Sequence, residues 1–255
     1  MVNYDKKADM QPDIKTVYRT ESGINLPLWV YNPRVVNDKN NYFVLAIHGG
    51  GWRGAREDNS EWNGGWMIHQ AKIFSLLGYT GAAISYRTLG FDNTDIKDLI
   101  EDCREAVKYI RKNFKFEKLI VIGDSAGGHL ATCLGIDEDD CVRPDIVLSC
   151  NPVLDCTERF SYASEDEEVR IEASPLFSDI KKCADFLFMH GNADPTVPYE
   201  DTVRMHEKLQ KLGFNSEMIT LDGIQHAFIL YDYKSTDEQV VSYMEMIEEY
   251  LNKKL

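Results

Sequence analysis

The sequence predicts an α/β fold: a mostly parallel, eight-stranded sheet with helices on both faces, opened by an antiparallel hairpin. Three observations predict it. Short apolar runs rich in β-branched residues alternate with stretches of helical periodicity, as in a parallel sheet covered by crossover helices. Most of those runs are apolar throughout, which suits strands buried on both faces. The first two runs are separated by a turn rather than a helix, and a tight turn joins strands antiparallel.

KTVYRTESGINLPLWVYNP reads as two strands around a Ser22-Gly23 turn, and six strands follow in YFVLAIHGG, TGAAISYR, KLIVIGD, DIVLSCNP, FLFMHGN and SEMITLDG. Residues from Asp95 to Asn113 place Ile96, Leu99, Cys103, Val107 and Ile110 at helical spacing. Tyr199 to Leu212 repeats the pattern with Val203, His206 and Leu209, and Ser235 to Leu251 does so with Val240, Tyr243, Ile247 and Tyr250. A further helical pattern follows KLIVIGD. Two segments break the alternation: Arg53 to Trp66, polar with Trp52, Trp62 and Trp66 in or beside it, and Asp155 to Ser178, acidic and loop-like. Long irregular insertions in compact domains are commonly binding loops or lids. With no internal repeat, low-complexity tract or Pro/Gly-rich linker, residues 1–255 read as a single domain.

Composition narrows the function class. Hydrophobic residues make up 44% of the chain, enough for a large core. A formal net charge of -14, from 42 acidic against 28 basic residues, argues against a nucleic-acid surface and against an anionic-membrane surface. No apolar run has the length of a signal peptide core or of a membrane span, so the expected address is cytoplasmic unless an export signal has been removed. The six cysteines show no CxxC pair and lie mostly in apolar segments, as reduced core thiols do. Neither a metal site nor a cofactor is expected.

The chemistry is concentrated at strand ends. KLIVIGD runs into Gly123-Asp124-Ser125-Ala126-Gly127 and then into the helical pattern, which is GxSxG in the strand-turn-helix setting that it requires. Small residues two positions either side of Ser125 leave room for a strained turn that lifts the hydroxyl above the sheet, and the following helix directs its N-terminus at the site. The bland alternative is a glycine-bearing loop at a strand end. Upstream, the third strand ends in His48-Gly49-Gly50-Gly51-Trp52, where glycines let backbone N–H groups reach a developing oxyanion. GGGW lacks the spacing of a dinucleotide or P-loop glycine motif.

HGGGW, GDSAGG, HGNADPTVP and DGIQHAF, in that order, resemble the α/β-hydrolase superfamily and its HGGG-type esterase and lipase branch, from about Val17 onward. The resemblance implies the chain order Ser, Asp, His, with oxyanion donors from Gly50, Gly51 and Ala126. The residues themselves point to the same partners. Asp194 follows FLFMHG on a loop closed by Pro195 and Pro198, and His226 is the one histidine of six on a late strand-to-helix loop. His69, His129 and His206 fall in helical patterns, while His48 and His190 sit at strand ends, where imidazoles commonly hold loops. Asp222, four residues before His226, stays as the rival acid.

Esterases of the hormone-sensitive-lipase-like branch usually carry a helical cap before the glycine loop. Only 47 residues precede His48 and most serve the hairpin, so the cap is expected to be small or absent. That compact form resembles carbohydrate acetylesterases, including acetylxylan and feruloyl esterases. The expected reaction is removal of acetyl or another short acyl group from a sugar or oligosaccharide, a small-molecule ester, with Trp52 as pocket wall or, equally, as loop packing. The stretch Ser164 to Glu168 reads as a solvated loop or a short lid. The alternatives are a general short-chain carboxylesterase, a kynurenine formamidase-like amidase sharing an HGGxW loop, a prolyl-oligopeptidase-type peptidase, disfavoured because no propeller precedes, and a non-catalytic hydrolase-fold binding protein.

Overall fold

The computed structural model describes residues 10–21, 23–53, 67–90, 93–231 and 233–255. Eight strands form one sheet: β1 (Ile14–Glu21), β2 (Ile24–Tyr31), β3 (Tyr42–Ile47), β4 (Thr80–Ile84), β5 (Lys118–Asp124), β6 (Ile146–Cys150), β7 (Asp185–Gly191) and β8 (Ser216–Leu221). Their order is β1-β2-β4-β3-β5-β6-β7-β8. The hairpin β1–β2 is antiparallel and β2 pairs antiparallel with β4, whereas every pairing from β4 to β8 is parallel. The mostly parallel sheet with its opening hairpin is therefore the architecture of this chain.

Among the described residues six helices cover it: α1 (Met67–Leu77), α2 (Ile96–Asn113), α3 (Ala126–Gly135), α4 (Glu167–Glu172), α5 (Tyr199–Lys211) and α6 (Asp237–Lys254). Because side chains alternate across a strand, β3 feeds two cores. Phe43, Leu45 and Ile47 join residues of α2, α3 and α5 on one face, while Val44 and Ala46 join residues of α1 and α6 on the other. Central strands flanked on both faces need apolar residues at every position, which is why β3 and β5 read as continuous runs. At the sheet edge, β8 keeps Glu217 and Thr220 exposed.

The helical stripe foreseen for α2 is buried in full, and the helix starts in a capping box between Asp95 and Asp98. The α6 stripe is likewise buried. In α5 the buried face is Thr202, Met205 and Leu209; Val203 and His206 lie at its margin, where His206 Nδ1 meets Ser216 Oγ at 2.8 Å. Helix α1 escaped the sequence pattern because its buried residues, from Met67 through Ser75, surround most of the helix and leave little periodicity. The segment 155–178 is more ordered than a loop: it holds α4 and two 3-10 turns, and Phe160, Ala163, Ala173 and Leu176 enter the core, while residues 165–168 stay exposed. The six cysteines are free thiols. Among the described residues no helix is long and apolar enough to cross a membrane.

One buried charge cluster ties α2 to the hairpin side of the sheet. Asp102 on α2 is fully buried, accepts Arg87 Nε at 2.8 Å and Nη2 at 3.0 Å, and pairs with Arg19 Nη1 at 3.0 Å. Removing one partner of such a cluster strands the others without compensation. Asp102→Ala is expected to destabilise the fold by about 3–5 kcal/mol, measured by urea denaturation, more than truncation of any exposed carboxylate.

Candidate active site

Each side chain of the site leaves the C-terminal end of a parallel strand. Ser125 follows β5 and precedes α3, with φ 56 and ψ -118, a conformation costly for any residue with a Cβ. Close backbone approach explains its glycines. A Cβ on Gly123 would lie 2.1 Å from the carbonyl oxygen of Gly127, and one on Gly127 would lie 2.1 Å from that of Ile47. The turn is held by Ser125 N donating to the Cys150 carbonyl at 3.0 Å and His129 N donating to the Ser125 carbonyl at 2.9 Å.

His226, after β8, presents Nε2 to Ser125 Oγ at 2.9 Å and Nδ1 to Asp194 Oδ2 at 2.6 Å. Its ring is buried, and these partners select one tautomer: Nδ1–H donates to the carboxylate while Nε2 accepts the serine hydroxyl. Asp194 follows β7. Its Oδ1 accepts the N–H groups of Thr196 at 2.7 Å and Val197 at 3.0 Å. Its Oδ2 also faces His190 Nε2 at 3.1 Å. Burial alone would raise this carboxyl, yet the bonds from His190, His226 and Val197 hold it well below the usual carboxylate range. Asp222 is exposed and accepts instead from Asn192 Nδ2 at 2.9 Å.

The glycine loop after β3 faces this array. Gly50 N-caps nothing but turns the chain at φ +93, and Gly51 and Trp52 both have positive φ (62 and 60) with Arg53 N donating to the Gly50 carbonyl at 3.2 Å. Two central residues with positive φ closed by an i to i+3 bond match a type I′ turn. Ala126, the first residue of α3, has an N–H without an intrahelical acceptor. Gly49, Gly50, Gly51, Ser125 and His226 line one cavity of about 190 Å³, whose remaining wall is largely apolar, with Met67, Val153, Phe160 and Leu230. The structure thus brings together Ser125, Asp194, His226, Gly50, Gly51 and Ala126.

Trp52 needs correction as a pocket wall. Its side chain is fully buried, it does not line the cavity, and its indole donates to His129 Nδ1 at 3.3 Å. A ring that large beside the sheet gains more from burial than from exposure at a cavity rim. Trp62 and Trp66 lie outside the described residues.

Three contributors to the site were not named in its expected residue set. His190, read as a strand-end imidazole that holds a loop, does so near the end of β7: its Nε2 meets the Asp194 carboxylate at 3.1 Å while its Nδ1 meets Thr202 Oγ1 at 2.7 Å. Asn151, after β6, donates Nδ2 to Asp124 Oδ1 at 2.8 Å and accepts the N–H of Ala227 at 3.1 Å, so it ties the nucleophile turn to the loop of His226. Its place at the end of a parallel strand was the available signal. The third, Asp124, is fully buried beside Ser125; burial pushes its carboxyl up to about 6, against the pull of His226 and Asn151.

The fold and this arrangement define an α/β-hydrolase with serine-hydrolase geometry. More particularly, the chain belongs to the BD-FAE family, whose profile matches residues 28–173, more than half of it. Residues 153–249 also match the TAP-like protein family. A thermophilic esterase from Thermogutta terrifontis in its propionate-bound form superposes with a TM-score of 0.80 at 23% identity, covering 96% of this chain and 95% of that one. Its butyrate-bound form gives 0.79 at 22%, covering 99% and 97%. At this identity the likeness is one of fold. A probable dipeptidyl-aminopeptidase B from Arthroderma gypseum is 22% identical over 88% of this chain but only 26% of its own length, and one from Arthroderma otae is 22% identical over 77% and 23%. The chain spans about a quarter of the length of these curated relatives.

The Asp124 carboxyl carries a stability signature. In the folded protein it keeps its proton up to about pH 6, whereas unfolded it releases it near 3.8, so its contribution to stability is complete below 3.8 and is lost as pH rises through 6. That window corresponds to about 3 kcal/mol. Asp124→Asn is expected to flatten this part of the melting-temperature profile relative to the parent protein; identical pH slopes would show that Asp124 does not titrate there.

Proposed function

We propose that this protein is a serine carboxylic-ester hydrolase that removes acetyl or another short acyl group, from a sugar or oligosaccharide. The observation that carries the hydrolase reading is the continuous bond chain Asp194–His226–Ser125 beside the glycine loop. In this reading His226 Nε2 takes the proton of Ser125 Oγ as the oxygen attacks the ester carbonyl. Asp194 holds the tautomer and stabilises the imidazolium. The N–H groups of Gly50, Gly51 and Ala126 receive the tetrahedral oxyanion. The imidazolium protonates the leaving alcohol, water enters, and the same base drives deacylation.

Two features support the finer assignment. The small apolar cavity suits a short acyl chain, and the Thermogutta esterase is known in propionate-bound and butyrate-bound forms. Beyond Tyr162, which borders both spaces, lies a second, polar cleft of about 530 Å³. Arg53, Asn93, Thr94, Asp95, Ser164 and Glu165 line it, side chains that hydrogen-bond hydroxyl groups, and the Arg53 guanidinium stacks 4.2 Å over the Tyr162 ring. An apolar slot for the acyl group next to a polar cleft for a hydroxylated alcohol is the division that an acylated sugar would need. The net charge of -14 supports a small ester or oligosaccharide as ligand rather than a nucleic acid or an anionic membrane.

Ser125→Ala should abolish p-nitrophenyl acetate hydrolysis, by a factor of about 10⁴ or more, without lowering the melting temperature, and Asp194→Asn should cost about 10⁴ while Asp222→Asn costs little. Retained activity in Ser125→Ala would sink the reading.

For the substrate, kcat/KM should be highest on acetylated xylo-, manno- or gluco-oligosaccharides in a panel that also holds aryl esters of rising acyl length, N-formylkynurenine and a dipeptidyl anilide. Preference for plain aryl esters would return the assignment to a general carboxylesterase, and preference for either amide would move it to an amidase or peptidase.

A further inference from the structure

We propose that Trp52 and His129 form a positioning pair that fixes the oxyanion loop to the nucleophile helix. The inference rests on the hydrolase reading above and assigns to both residues a part that neither the fold nor the cavity requires of them. Trp52 is the last central residue of the type I′ turn and holds φ 60, where a bulky side chain is disfavoured and persists only if its surroundings over-determine it. The surroundings are unusually complete. The indole Nε1–H donates to His129 Nδ1 at 3.3 Å, and the backbone carbonyl of Trp52 accepts Leu89 N at 2.8 Å. The indole packs edge-on against His129 (ring centroids 5.2 Å apart), Phe160 (6.0 Å) and Tyr162 (5.9 Å).

His129 lies on α3, one turn beyond Ser125, and is fully buried. Its Nε2–H donates to the Ala173 carbonyl at 2.7 Å. Accepting at Nδ1 and donating at Nε2 fits one species, the neutral Nε2–H tautomer; a protonated ring would set two donors face to face. Burial keeps the ring in that form by lowering its pKa to about 4. One imidazole therefore bonds three pieces of chain: the oxyanion turn through Trp52, the helix that begins at the nucleophile, and the segment 155–178 through Ala173. Because Trp52 is the second central residue of the turn that Gly51 begins, releasing the indole lets the positive φ of both residues relax, and with it the orientation of the Gly50–Gly51 peptide plane whose N–H must point at the oxyanion. Sub-ångström placement of such donors governs their value in the transition state more than in the ground state.

The test uses the intact chain and p-nitrophenyl acetate. Trp52→Phe keeps a buried aromatic ring and deletes the donor together with part of the indole's volume; it is expected to lower kcat about ten-fold with KM within about two-fold. His129→Leu should do the same, the Trp52→Phe/His129→Leu double variant should be no slower than His129→Leu alone, and His129→Gln, which can accept and donate at once, should recover most of kcat. A packing role would instead lower the melting temperature and leave kcat per folded molecule intact. Wild-type kcat in Trp52→Phe, or losses that multiply in the double variant, would overturn the pair. Should His129→Leu not fold, Trp52→Phe and His129→Gln decide. Absence of any hydrolysis by the parent protein would instead refute the hydrolase reading, so the two failures are told apart.

Discussion

The turn at Ser125 constrains everything around it. For Oγ to stand clear of the sheet, the chain must reverse from β5 into α3 within one residue, and the main chain then passes within van der Waals distance of β3 on one side and of its own next turn on the other. Gly123 and Gly127 are demanded by that geometry, and Cys150 and His129 supply the backbone bonds that keep it. Once the turn exists, the first N–H groups of α3 point at the same space as the hydroxyl, and the loop after β3 is brought alongside because Gly127 packs on the carbonyls of Ile47 and His48. The nucleophile turn and the oxyanion loop are thus one packing problem with one solution.

Strain is distributed accordingly. Among the described residues, positive φ in non-glycine positions occurs at Trp52, Asn93, Ser125, Asn151 and Ala227. Ser125 belongs to the bond chain, Asn151 and Ala227 adjoin it, Trp52 ends the glycine loop, and Asn93 lines the adjoining polar cleft. Such backbone persists where neighbours over-determine it. Here the restraint is mutual: Asn151 accepts the N–H of Ala227, which follows His226, and donates to Asp124, which precedes Ser125. Base and nucleophile are therefore positioned by a second route, which runs through Asn151 and not through Asp194.

The parts legible in the sequence were those with local physics. Buried parallel strands announce themselves as unbroken apolar runs, and α2 by a clean stripe behind an acidic cap. Ser125 and the glycine loop were legible because backbone strain calls for glycine at fixed offsets, and His226 because it is the histidine on the last strand-end loop. What stayed hidden depends on contacts distant in sequence. Asp194 was preferred over Asp222 in the sequence because it sits on a loop separate from that of His226, but the contact itself appears only when β7 and β8 lie side by side and the Nδ1 of His226 turns to Asp194. Helix α1 was hidden because a helix buried on most sides loses its period. Trp52 misled for a related reason: adjacency to the oxyanion donors suggested the cavity, whereas His129, 77 positions away, draws the indole inward.

The same separation governs the electrostatics. Two carboxylates near His226 titrate in different ranges, though both are aspartates at strand ends, Asp124 at that of β5 and Asp194 after β7. Asp194 collects donors from Thr196, Val197, His190 and His226 and so remains ionised at low pH, able to balance an imidazolium whenever one forms. Asp124 has one side-chain donor, Asn151, and full burial, and its carboxyl rises to about 6. A charge at Asp124, in the wall of the cavity beside Ser125, opposes an oxyanion forming on the glycine loop, and that opposition lessens only as the pH falls through about 6. The number of donors that the fold delivers to each aspartate thus divides their roles, one to hold the base and one to shape the nucleophile turn.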